Sequence, residues 1–380
     1  MAARYGGPSV AAVQTCLALQ RAGLTVGLVT TDSDGPGRMQ VRTDGPVQRE
    51  GVPTLFFRRQ WSEAFKYSGP LARWLRGHVS EYDVVHIHGV FSHCSLAAAA
   101  SCRRRGVPYV VRPLGTLDPW SLTQKPWRKR LAWSLAARRM VRSAAAVHYT
   151  SRGEMRRTEA ALGIGRGVVI PLGLDDEVFE RPARDAIWKA PDEPFLLYLA
   201  RLHPKKNPEL LLRAFGAIQG QLSKPWRLLM AGDGDPRYVE DLRRLSQGCA
   251  PPGSVVFLGW LEGETKWAAL QGASLYVLPS SQENFGLSVA EAMACGVPVV
   301  VSTGVDLAVD VLEAGAGWVI PVDQASLEKA LTEALASESE RRRRGAAAAA
   351  LARRAFRWPA VAAALKELYL SVCVAGRTRA

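Results

Sequence analysis

Residues 279–298 constrain the fold more than any other segment, because a short apolar run lies on either side of them. Residues 275–278 and 297–301 each have the length and apolar composition of a buried strand. Between them, apolar residues recur at helical spacing until a glycine and a proline stop the helix: Leu287, Ala290 and Ala294, then Gly296 and Pro298. The segment therefore predicts a helix that connects two neighbouring parallel strands.

Two glutamates bracket the first turns of this predicted helix. Glu283 precedes the helix, and Glu291 lies within it among alanine, valine and methionine residues. A desolvated carboxylate without a partner is strongly destabilising, so Glu291 needs a partner, and a pair of ligand hydroxyl groups would provide one. The paired spacing by itself also suggests general acid and general base catalysis.

The length of the chain and its repeated pattern predict two domains. At 380 residues it exceeds the size of one ordinary hydrophobic core. Both halves alternate strands with helices, and in the second half the predicted strands are 195–200, 226–231, 255–258, 275–278 and 318–320. A polar, proline-containing passage at 175–194 is the expected linker. We therefore predict an α/β protein with two doubly wound parallel-sheet domains, 1–175 and 176–357.

Two further helices are predicted after the last strand. Residues 338–354 are rich in arginine and alanine and are expected to form a solvated helix. Residues 359–372 form a helix that is expected to complete the first domain and to bury Val361, Leu365, Leu368 and Leu370. No charge-free run of about 18 apolar residues occurs, so a membrane-spanning segment is not expected.

A glycine pair lies close to the first residue. Gly6 and Gly7 precede a predicted helix at 10–22, which leads into a strand at 24–30. Glycines at the start of a helix let a phosphate approach the positive helix end, but such a loop normally follows a strand. We therefore expect the first strand of the domain to be missing and the native chain to begin upstream of Met1. An ordinary turn is the alternative.

Positive charge is concentrated in the first half. The net charge is +14, and residues 1–180 contain 25 basic and 14 acidic residues. Residues 125–142 contain seven basic residues and no acidic one, with Trp120, Trp127 and Trp133 in or near this stretch. On a helical wheel Trp133, Ala137, Met140 and Val141 face away from Arg128, Arg138, Arg139 and Arg142. A helix packed on the sheet and a contact with an anionic membrane surface both fit this pattern.

Other classes of protein fit the composition less well. The sequence contains neither a helix-turn-helix pattern nor a basic and aromatic single-strand motif, so nucleic acid is not an expected partner. The six cysteines are scattered without a Cys-x-x-Cys pair. This favours reduced thiols and a cytoplasmic protein.

Three histidines raise the question of a zinc site. His86 and His88 fall on the same face of a predicted strand at 83–88, and His93 follows five residues later. Since no cysteine or acidic residue lies at ligand spacing, histidines that line a cleft are favoured over zinc ligands.

Two aspartate pairs could be mistaken for a metal and nucleotide site. They are Asp32 with Asp34 and Asp233 with Asp235, and both lie in turn-forming passages rich in glycine or proline. Aspartate is common in such turns because it bonds to the nearby backbone, so turns are favoured. No metal or cofactor is expected.

Polar residues follow several strands of the second half at the point where each strand ends. Arg201 and Lys206 follow the strand 195–200, and two cations at this spacing can hold a diphosphate and stabilise the charge that it gains on leaving. Other strands lead into Gly232-Asp233-Gly234, Phe257-Leu258-Gly259-Trp260 and the Glu283/Glu291 pair. The carboxyl ends of parallel strands share the sheet edge at which open α/β folds bind ligands. We therefore predict a single site at this edge, where the two glutamates position a ligand and the cations supply the catalysis.

These residues together resemble glycosyltransferase family 4. The resemblance extends from Tyr5 to Leu370 and rests on Gly6-Gly7, the strand 83–88 with Gly89, Arg201 with Lys206, Gly232-Asp233-Gly234, Phe257-Leu258-Gly259, and Glu283 and Glu291 with Phe285-Gly286 between them. It implies the GT-B fold, in which two Rossmann-like domains face each other across a cleft. The first domain would bind the acceptor and the second the nucleotide sugar.

The resemblance also implies roles for single residues. Arg201 and Lys206 would hold the donor diphosphate, Glu291 would bind the ribose hydroxyls, and Glu283 would orient the transferred sugar. Other donor contacts would come from the glycine loops, from the segment between the two glutamates and from the loop that borders the base: Gly7, Gly232, Gly234, Leu258, Trp260, Asn284, Phe285, Gly286 and Leu287. Arg201, Lys206 and Glu283 are the expected catalytic residues.

The passage 111–120 resembles transferases of bacterial exopolysaccharide and capsule assembly. Many relatives have a histidine near Leu114 that contacts the sugar, and this chain does not. His88 and Arg112 are therefore the candidates for that contact, and Asp118 is a third residue on the acceptor side.

The implied reaction is transfer from a UDP- or GDP-sugar with retention of anomeric configuration and without a metal. The expected acceptor is a growing, lipid-linked saccharide, and residues 125–142 would bring a cytoplasmic enzyme to the inner face of the plasma membrane. Two alternatives share the fold: a sugar phosphorylase with a lysine-bound pyridoxal phosphate, and an inactive partner that binds sugar nucleotides.

Overall fold

The computed structural model describes residues 7–61, 63–117, 136–163, 165–180 and 193–377. The chain divides into two units. The N-terminal unit contains Met1–Thr150, Glu154–Gly173 and Trp358–Ala380, and the C-terminal unit contains Ser151–Gly153 and Leu174–Arg357. The main boundary thus lies next to the expected position at 175, and the last helix belongs to the N-terminal unit.

The C-terminal unit is built on one parallel sheet of six strands. They are β10 (Phe195–Leu199), β11 (Arg227–Ala231), β12 (Val255–Gly259), β13 (Leu275–Leu278), β14 (Val299–Ser302) and β15 (Gly317–Ile320). Their order in the sheet is β12-β11-β10-β13-β14-β15. The chain therefore adds strands outward from β10 in one direction and then, from β13, in the other. This is the doubly wound order of a Rossmann sheet, and its direction reverses between β10 and β13.

Helices connect the strands of this sheet. Helix Pro236–Cys249 shows why they begin where they do: Asp235 accepts hydrogen bonds from the amides of Arg237 and Tyr238, at 3.0 and 3.3 Å, and a proline occupies the first turn. The other helices are Glu177–Glu180, Pro208–Ile218, Gly263–Gly272, Leu287–Ala294, Ala308–Ala314, Gln324–Ala336 and Glu338–Ala355.

Helix Glu338–Ala355 corrects one prediction. It was expected to be solvated, but one face is buried and includes Gly345, Ala348 and Ala352. A Cβ atom at Gly345 would lie 2.3 Å from the carbonyl oxygen of Gly296, so only glycine allows this close approach. The alanine-rich sequence is thus a packing surface, and the arginines occupy mainly the other face.

In the part of the N-terminal unit that the structure describes, the strands form three sheets. Parallel strands β6 (Val85–His88), β7 (Tyr109–Arg112), β8 (Ala146–Tyr149) and β9 (Gly167–Val169) form one sheet in that order. A second sheet has the order β1-β5-β4, where β1 (Leu28–Thr31) is parallel to β5 (Val52–Phe57) and β4 (Pro46–Arg49) is antiparallel. A small hairpin of β2 (Ser33–Asp34) and β3 (Gly37–Arg38) contains Asp34, so the turn predicted there is confirmed. Asp235 instead caps the beginning of helix Pro236–Cys249, although its carboxylate bonds to the nearby backbone as expected.

The helices of the N-terminal unit are Gly7–Arg21, Gly69–His78, His93–Arg105, Arg138–Arg142, Arg152–Leu162, most of whose residues belong to this unit, and Trp358–Arg377. In Arg138–Arg142 and the residue before it, Ala137, Met140 and Val141 are buried and the three arginines are exposed, as the helical wheel predicts. Residues 1–6 and 118–135 lie outside the described residues. So do the predictions that fall on them, which concern Gly6, Asp118 and the basic stretch from 125 to 135.

The last helix, Trp358–Arg377, packs on the sheet of the N-terminal unit. Val361, Leu365 and Leu368 are buried, as predicted, together with Trp358 and Tyr369. Leu370 was also expected to be buried, but it is 59% exposed, because its neighbour Tyr369 occupies the inward position. By length and composition alone this helix could cross a membrane, a test that core helices of soluble proteins also pass.

Candidate functional site

The reversal of strand order in the C-terminal unit brings the predicted site residues together. Arg201 and Lys206 follow β10, and Glu283 and Glu291 follow β13, which is the neighbouring strand. Adjacent connections leave on opposite sides at such a reversal and open a crevice at the carboxyl ends of the strands. The two pairs of charged residues therefore flank this crevice.

Hydrogen bonds hold the two loops at the crevice in fixed positions. The short helix Pro204–Lys206 ends at Asn207, whose side-chain amide donates to the carbonyl of Pro279 at 2.7 Å and to the hydroxyl of Ser281 at 2.9 Å. The amide of Ser281 donates to the carbonyl of Lys205 at 2.9 Å. These contacts fix the position of Lys206 relative to Glu283.

Lys206 and Glu283 form an ion pair whose ammonium group is nearly buried. The side chain of Lys206 is 10% exposed and that of Glu283 is 26% exposed. Burial, with Lys205 and Arg201 nearby, lowers the pKa of Lys206 to about 8. Contact with Glu283 favours the ammonium form. Lys206 is therefore charged at neutral pH, although its pKa is only about one unit higher.

Gly232 and Gly234 have a backbone role at this edge. A Cβ atom at Gly232, where φ is +140°, would lie 1.9 Å from the carbonyl oxygen of Ala200. At Gly234 it would lie 2.1 Å from the carbonyl oxygen of Leu202. The loops after β10 and β11 can therefore approach each other only with glycine at both positions, and this approach positions Arg201.

Glu291 has a partner within the protein. Its carboxylate accepts a hydrogen bond of 2.9 Å from the ammonium group of Lys266, and the two side chains are 16% and 23% exposed. Burial raises the pKa of Glu291, and Lys266 opposes this effect. The expectation that Glu291 needs a partner is confirmed, but Lys266 stabilises it without a ligand. A ribose would therefore bind to an ion pair rather than to a lone carboxylate.

Tyr276 in β13 connects this helix with β10. Its hydroxyl lies 3.0 Å from the carbonyl oxygen of Leu199 and 2.7 Å from the hydroxyl of Ser288. The ring is completely buried. The beginning of helix Leu287–Ala294 is thus attached to the centre of the sheet, one turn before Glu291.

The segment between the two glutamates presents its backbone. Gly286 begins the helix with a φ of +80°, a conformation that favours glycine. The side chain of Phe285 is 4% exposed and packs edge-on against Phe356 at 5.5 Å between ring centroids. A contact from Phe285 to a ligand would therefore come from its backbone, as the resemblance implies. Among the other predicted donor contacts, Asn284, Leu287 and Leu258 are half-buried, and Trp260 is 63% exposed.

The N-terminal unit contains a buried hydrogen-bonded row of rings behind its strand ends. His148 Nε2 donates to the carbonyl of Ile170 at 2.7 Å, so Nδ1 is left to accept from His86 Nε2 at 3.3 Å. His86 Nδ1 then accepts from the hydroxyl of Tyr369 at 2.7 Å. Burial lowers the pKa of His148 to about 3 and that of His86 well below its usual value. The row is therefore neutral, and it connects the last helix to the sheet.

His88 and Arg112 are neighbours at the carboxyl ends of β6 and β7. Arg112 is 2% exposed, and neither its Nε nor the Nδ1 of His88 has a hydrogen-bond partner among the residues that the structure describes. Burial and Arg112 lower the pKa of His88 to about 3, so the imidazole is neutral. Burial also lowers the pKa of Arg112, to about 10, and the guanidinium remains charged at neutral pH. Of the three acceptor-side candidates, Asp118 lies outside the described residues. Gly7, the predicted phosphate contact, is the first residue of helix Gly7–Arg21.

His93 is separate from the other histidines. Its ring packs on Tyr67 at 4.4 Å between centroids, and its Nδ1 accepts from the amide of Ser68 at 3.3 Å. Across the described ranges, no group of three or more histidine, cysteine or acidic residues could hold a metal ion. All six cysteines are free.

Sequence reasoning missed three contributors to these sites. Lys266 lies on the helix before β13, and Tyr369 and His148 complete the row behind β6. Nothing in the sequence around Lys266 shows whether its ammonium group pairs with a carboxylate or is only solvated. The two rings resemble ordinary core residues until the fold brings them to His86.

Family models match both halves of the chain. Residues 6–173 match a glycosyl transferase 4-like domain, and residues 180–351 match the domain described as glycosyl transferases group 1.

Named relatives share part or most of this length. An uncharacterized glycosyltransferase of Methanocaldococcus jannaschii is 37% identical over 149 residues, which cover 38% of this chain and 36% of that protein. A D-inositol 3-phosphate glycosyltransferase of Xylanimonas cellulosilytica is 26% identical over 304 residues, which cover 76% of this chain and 72% of that protein. The chain thus spans about a third of one relative and about three quarters of the other.

A solved structure resembles the whole chain. The crystal structure of HepE from Anabaena in complex with UDP and glucose superposes with a TM-score of 0.70 at 19% identity. The superposition covers 96% of this chain and 96% of that one.

Proposed function

The chain is a glycosyltransferase with the GT-B fold, and we propose from this that it transfers a sugar from a nucleoside diphosphate sugar to a lipid-linked saccharide. The observation that carries the donor assignment is the convergence of four charged residues at the strand reversal. Arg201 and Lys206 follow β10, Glu283 and Glu291 follow the neighbouring strand β13, and Lys206 pairs with Glu283. A site with two cations and two paired carboxylates suits a ligand that has both phosphates and hydroxyl groups. The complex of HepE with UDP and glucose supports UDP as the first nucleotide to test, with GDP as the second.

The proposed chemistry needs charge stabilisation more than a nucleophile. The bond between the anomeric carbon and the phosphate oxygen breaks, and the diphosphate leaves with both electrons. Arg201 and Lys206 stabilise this developing charge, while Glu283 and the backbone near Gly286 orient the sugar. The acceptor hydroxyl attacks from the face that the leaving group vacates, its proton passes to the departing phosphate oxygen, and configuration is retained. Neither a metal nor a cofactor takes part.

The acceptor side is proposed to lie in the N-terminal unit. His88 and Arg112 end neighbouring strands, and each has a buried nitrogen without a partner among the described residues. The Nε–H of Arg112 could donate to a saccharide hydroxyl or a phosphate oxygen, and the Nδ1 of His88 could form a hydrogen bond with a saccharide hydroxyl. Exopolysaccharide or capsule assembly at the inner face of the plasma membrane is the proposed setting, and the excess of basic residues in the first half supports it.

A panel of donors tests this function. Thermal shifts with UDP-, GDP- and ADP-sugars should identify one nucleotide, and NMR of the glycosylated acceptor should show the anomeric configuration of the donor. Stabilisation by none of these donors would contradict the proposal. An absorbance band of lysine-bound pyridoxal phosphate would favour a phosphorylase, and binding without turnover would favour an inactive partner.

The affinity for UDP is expected to fall as the pH rises above 8. The folded protein holds the pKa of Lys206 near 8, and a bound diphosphate raises it, so binding takes up a proton once the free lysine is neutral. The Kd should rise by up to about tenfold per pH unit above 8, since each pKa unit corresponds to about 1.4 kcal/mol. Calorimetry between pH 7 and 9.5 avoids titration of the phosphate itself, whose pKa is about 6. Lys206→Arg remains charged and should give a flat profile, and a flat wild-type profile would contradict the assignment.

Membrane association is expected to depend on anionic lipid and on residues 125–142. At low salt the protein should sediment with phosphatidylglycerol vesicles but not with phosphatidylcholine vesicles, and about 0.15 M salt should weaken the interaction because the Debye length is then near 8 Å. Replacement of Arg128, Lys129 and Arg130 by glutamate should abolish sedimentation. The same replacement at Arg103, Arg104 and Arg105 is the matched control. If wild type stays in the supernatant at low salt, the proposal is wrong.

A further inference from the structure

An exposed aromatic patch lies in the loop after β5. It consists of Trp61, Phe65 and Tyr67, which are 71%, 36% and 37% exposed. Single exposed hydrophobic residues are ordinary, but three exposed aromatic side chains within seven residues place an unusual amount of apolar surface in contact with water. Such a patch indicates that something covers it.

The loop that carries the aromatic patch is held in place at its ends. Trp61 and Tyr67 form an antiparallel bridge, and the amide of Gln60 donates to the carbonyl of Tyr67 at 2.9 Å. The side chain of Gln60 accepts from the amide of Gly69 at 2.8 Å. The two ends of the loop therefore form a closed base.

The tip of the loop is attached to the helix that follows β6. The amide of His93 donates to the carbonyl of Phe65 at 2.8 Å, and the ring of His93 packs on Phe65 and Tyr67 at 5.8 and 4.4 Å between centroids. Cys94 Sγ also donates to the carbonyl of Lys66 at 3.4 Å. Because these contacts hold the rings of Phe65 and Tyr67 and the backbone of Trp61 pairs with Tyr67, a ligand would bind here with a smaller entropy cost than on a flexible loop.

The aromatic patch lies near the carboxyl end of β5 and the beginning of the helix that follows β6. Its loop begins directly after Phe57, the last residue of β5, and bonds to His93 and Cys94, the first two residues of helix His93–Arg105. In the separate sheet that contains β6, the parallel strands β6 and β7 end together at His88 and Arg112, and helix His93–Arg105 begins five residues after His88.

We propose that the aromatic patch is a stacking platform for a pyranose ring of the acceptor saccharide, with Trp61 as the main contact. This inference rests on the proposed function, and it extends that function by assigning an acceptor subsite. A pyranose presents a face of C–H bonds whose partial positive charge suits the negative face of an aromatic ring. Its hydroxyl groups point outward from the ring. The same loop supplies hydrogen-bond donors and acceptors for them, from Arg58, Gln60 and the Glu63–Lys66 pair.

The neighbouring charges favour a saccharide over a lipid surface. Glu63 pairs with Lys66 at 3.3 Å, so these two charges offset each other, and the exposed excess of the loop is the single cation Arg58. A patch that inserts into an anionic membrane is expected to carry a clear basic excess. A rim of mixed polar groups around aromatic rings is typical of sites that recognise neutral, hydroxyl-rich ligands.

The test measures saccharide binding with UDP present. Saturation-transfer NMR with methyl α-mannopyranoside, methyl β-glucopyranoside and methyl β-galactopyranoside should show at least one wild-type interaction through the C–H face. Trp61→Ala should raise its Kd about tenfold, the loss expected when a stacked ring is removed. Trp61→Phe should keep most of the affinity, whereas Trp61→Leu should not. Leu370→Ala, which removes a 59% exposed apolar side chain from the same unit, should have no effect.

Each other outcome overturns the inference. Equal affinities in wild type and Trp61→Ala would exclude the platform, and so would the absence of a signal from all three pyranosides. Loss of binding to phosphatidylglycerol vesicles in Trp61→Ala, with recovery in Trp61→Leu, would assign the patch to a membrane. The UDP-induced thermal shift should be unchanged in every variant. Its absence from wild type would instead contradict the donor assignment, independently of the pyranoside result.

Discussion

Replacing both Arg201 and Lys206 by alanine is expected to lower turnover of the donor by at least about a thousandfold, since loss of one preorganised donor to a developing charge costs about 10²–10³ in kcat. Both residues follow β10 at the reversal of strand order, and the side chain of Lys206 is only 10% exposed. Its charge therefore acts in a site that excludes much of the water, where electrostatic stabilisation is strong. The rate of release of the nucleoside diphosphate measures the effect.

Two comparisons separate this effect from misfolding or a general loss of charge. Arg201→Lys with Lys206→Arg keeps both charges and should lose much less activity. Arg244→Ala with Lys329→Ala removes two exposed cations from helices of the same unit and should retain turnover. If the Arg201 and Lys206 double variant stays within about threefold of wild type while the melting temperature is unchanged, these residues do not stabilise the leaving group.

Gly232→Ala is expected to have the second largest effect, although it adds a single methyl group. The new Cβ atom would lie 1.9 Å from the carbonyl oxygen of Ala200 at a φ of +140°, so the backbone must move. We expect a loss of about 3 kcal/mol or more in the free energy of unfolding of the C-terminal unit. For a unit of this size that corresponds to a fall of about 6–12 °C in melting temperature. The movement also displaces Arg201, so the stabilisation by UDP should disappear.

Gly248→Ala provides the matched control for this prediction. Gly248 lies in helix Pro236–Cys249, and a Cβ atom there meets nothing within 4 Å. The same substitution should therefore be neutral, or stabilising by up to about 1 kcal/mol through helix propensity. Scanning fluorimetry with and without UDP measures both quantities. A Gly232→Ala variant with normal melting and a normal UDP response would show that the loops after β10 and β11 can separate without consequence.

The positions of the charged residues after β10 and β13 could be predicted from sequence because the information that determines them is local. Each charged residue follows an apolar run by a few positions, and the carboxyl ends of parallel strands meet at one edge whatever the details of packing. The sequence alone therefore places four charged residues at one edge of the sheet, namely Arg201, Lys206, Glu283 and Glu291. The ion pairs that they form could not be predicted, because these pairs depend on which side chains meet across the loops.

Other features depend on contacts between residues that are distant in the chain. Tyr369 bonds to His86 across 283 positions, and nothing near either residue indicates the other. The same limit explains the error at Leu370, since helical spacing allows either it or Tyr369 to face the core. The alanine-rich helix Glu338–Ala355 was misjudged because alanine suits both water and close packing.

The assignment of helix Trp358–Arg377 to the first unit has a practical consequence for protein engineering. A single cut between Gly173 and Leu174 does not yield two independent polypeptides, because the upstream fragment would expose the apolar surface that Trp358, Val361 and Leu365 cover. The two units can be exchanged among relatives only if the replacement gene segment is joined at two positions, near residues 173 and 357. Chimeras made at one crossover point are expected to precipitate, whereas two-junction replacements preserve each core.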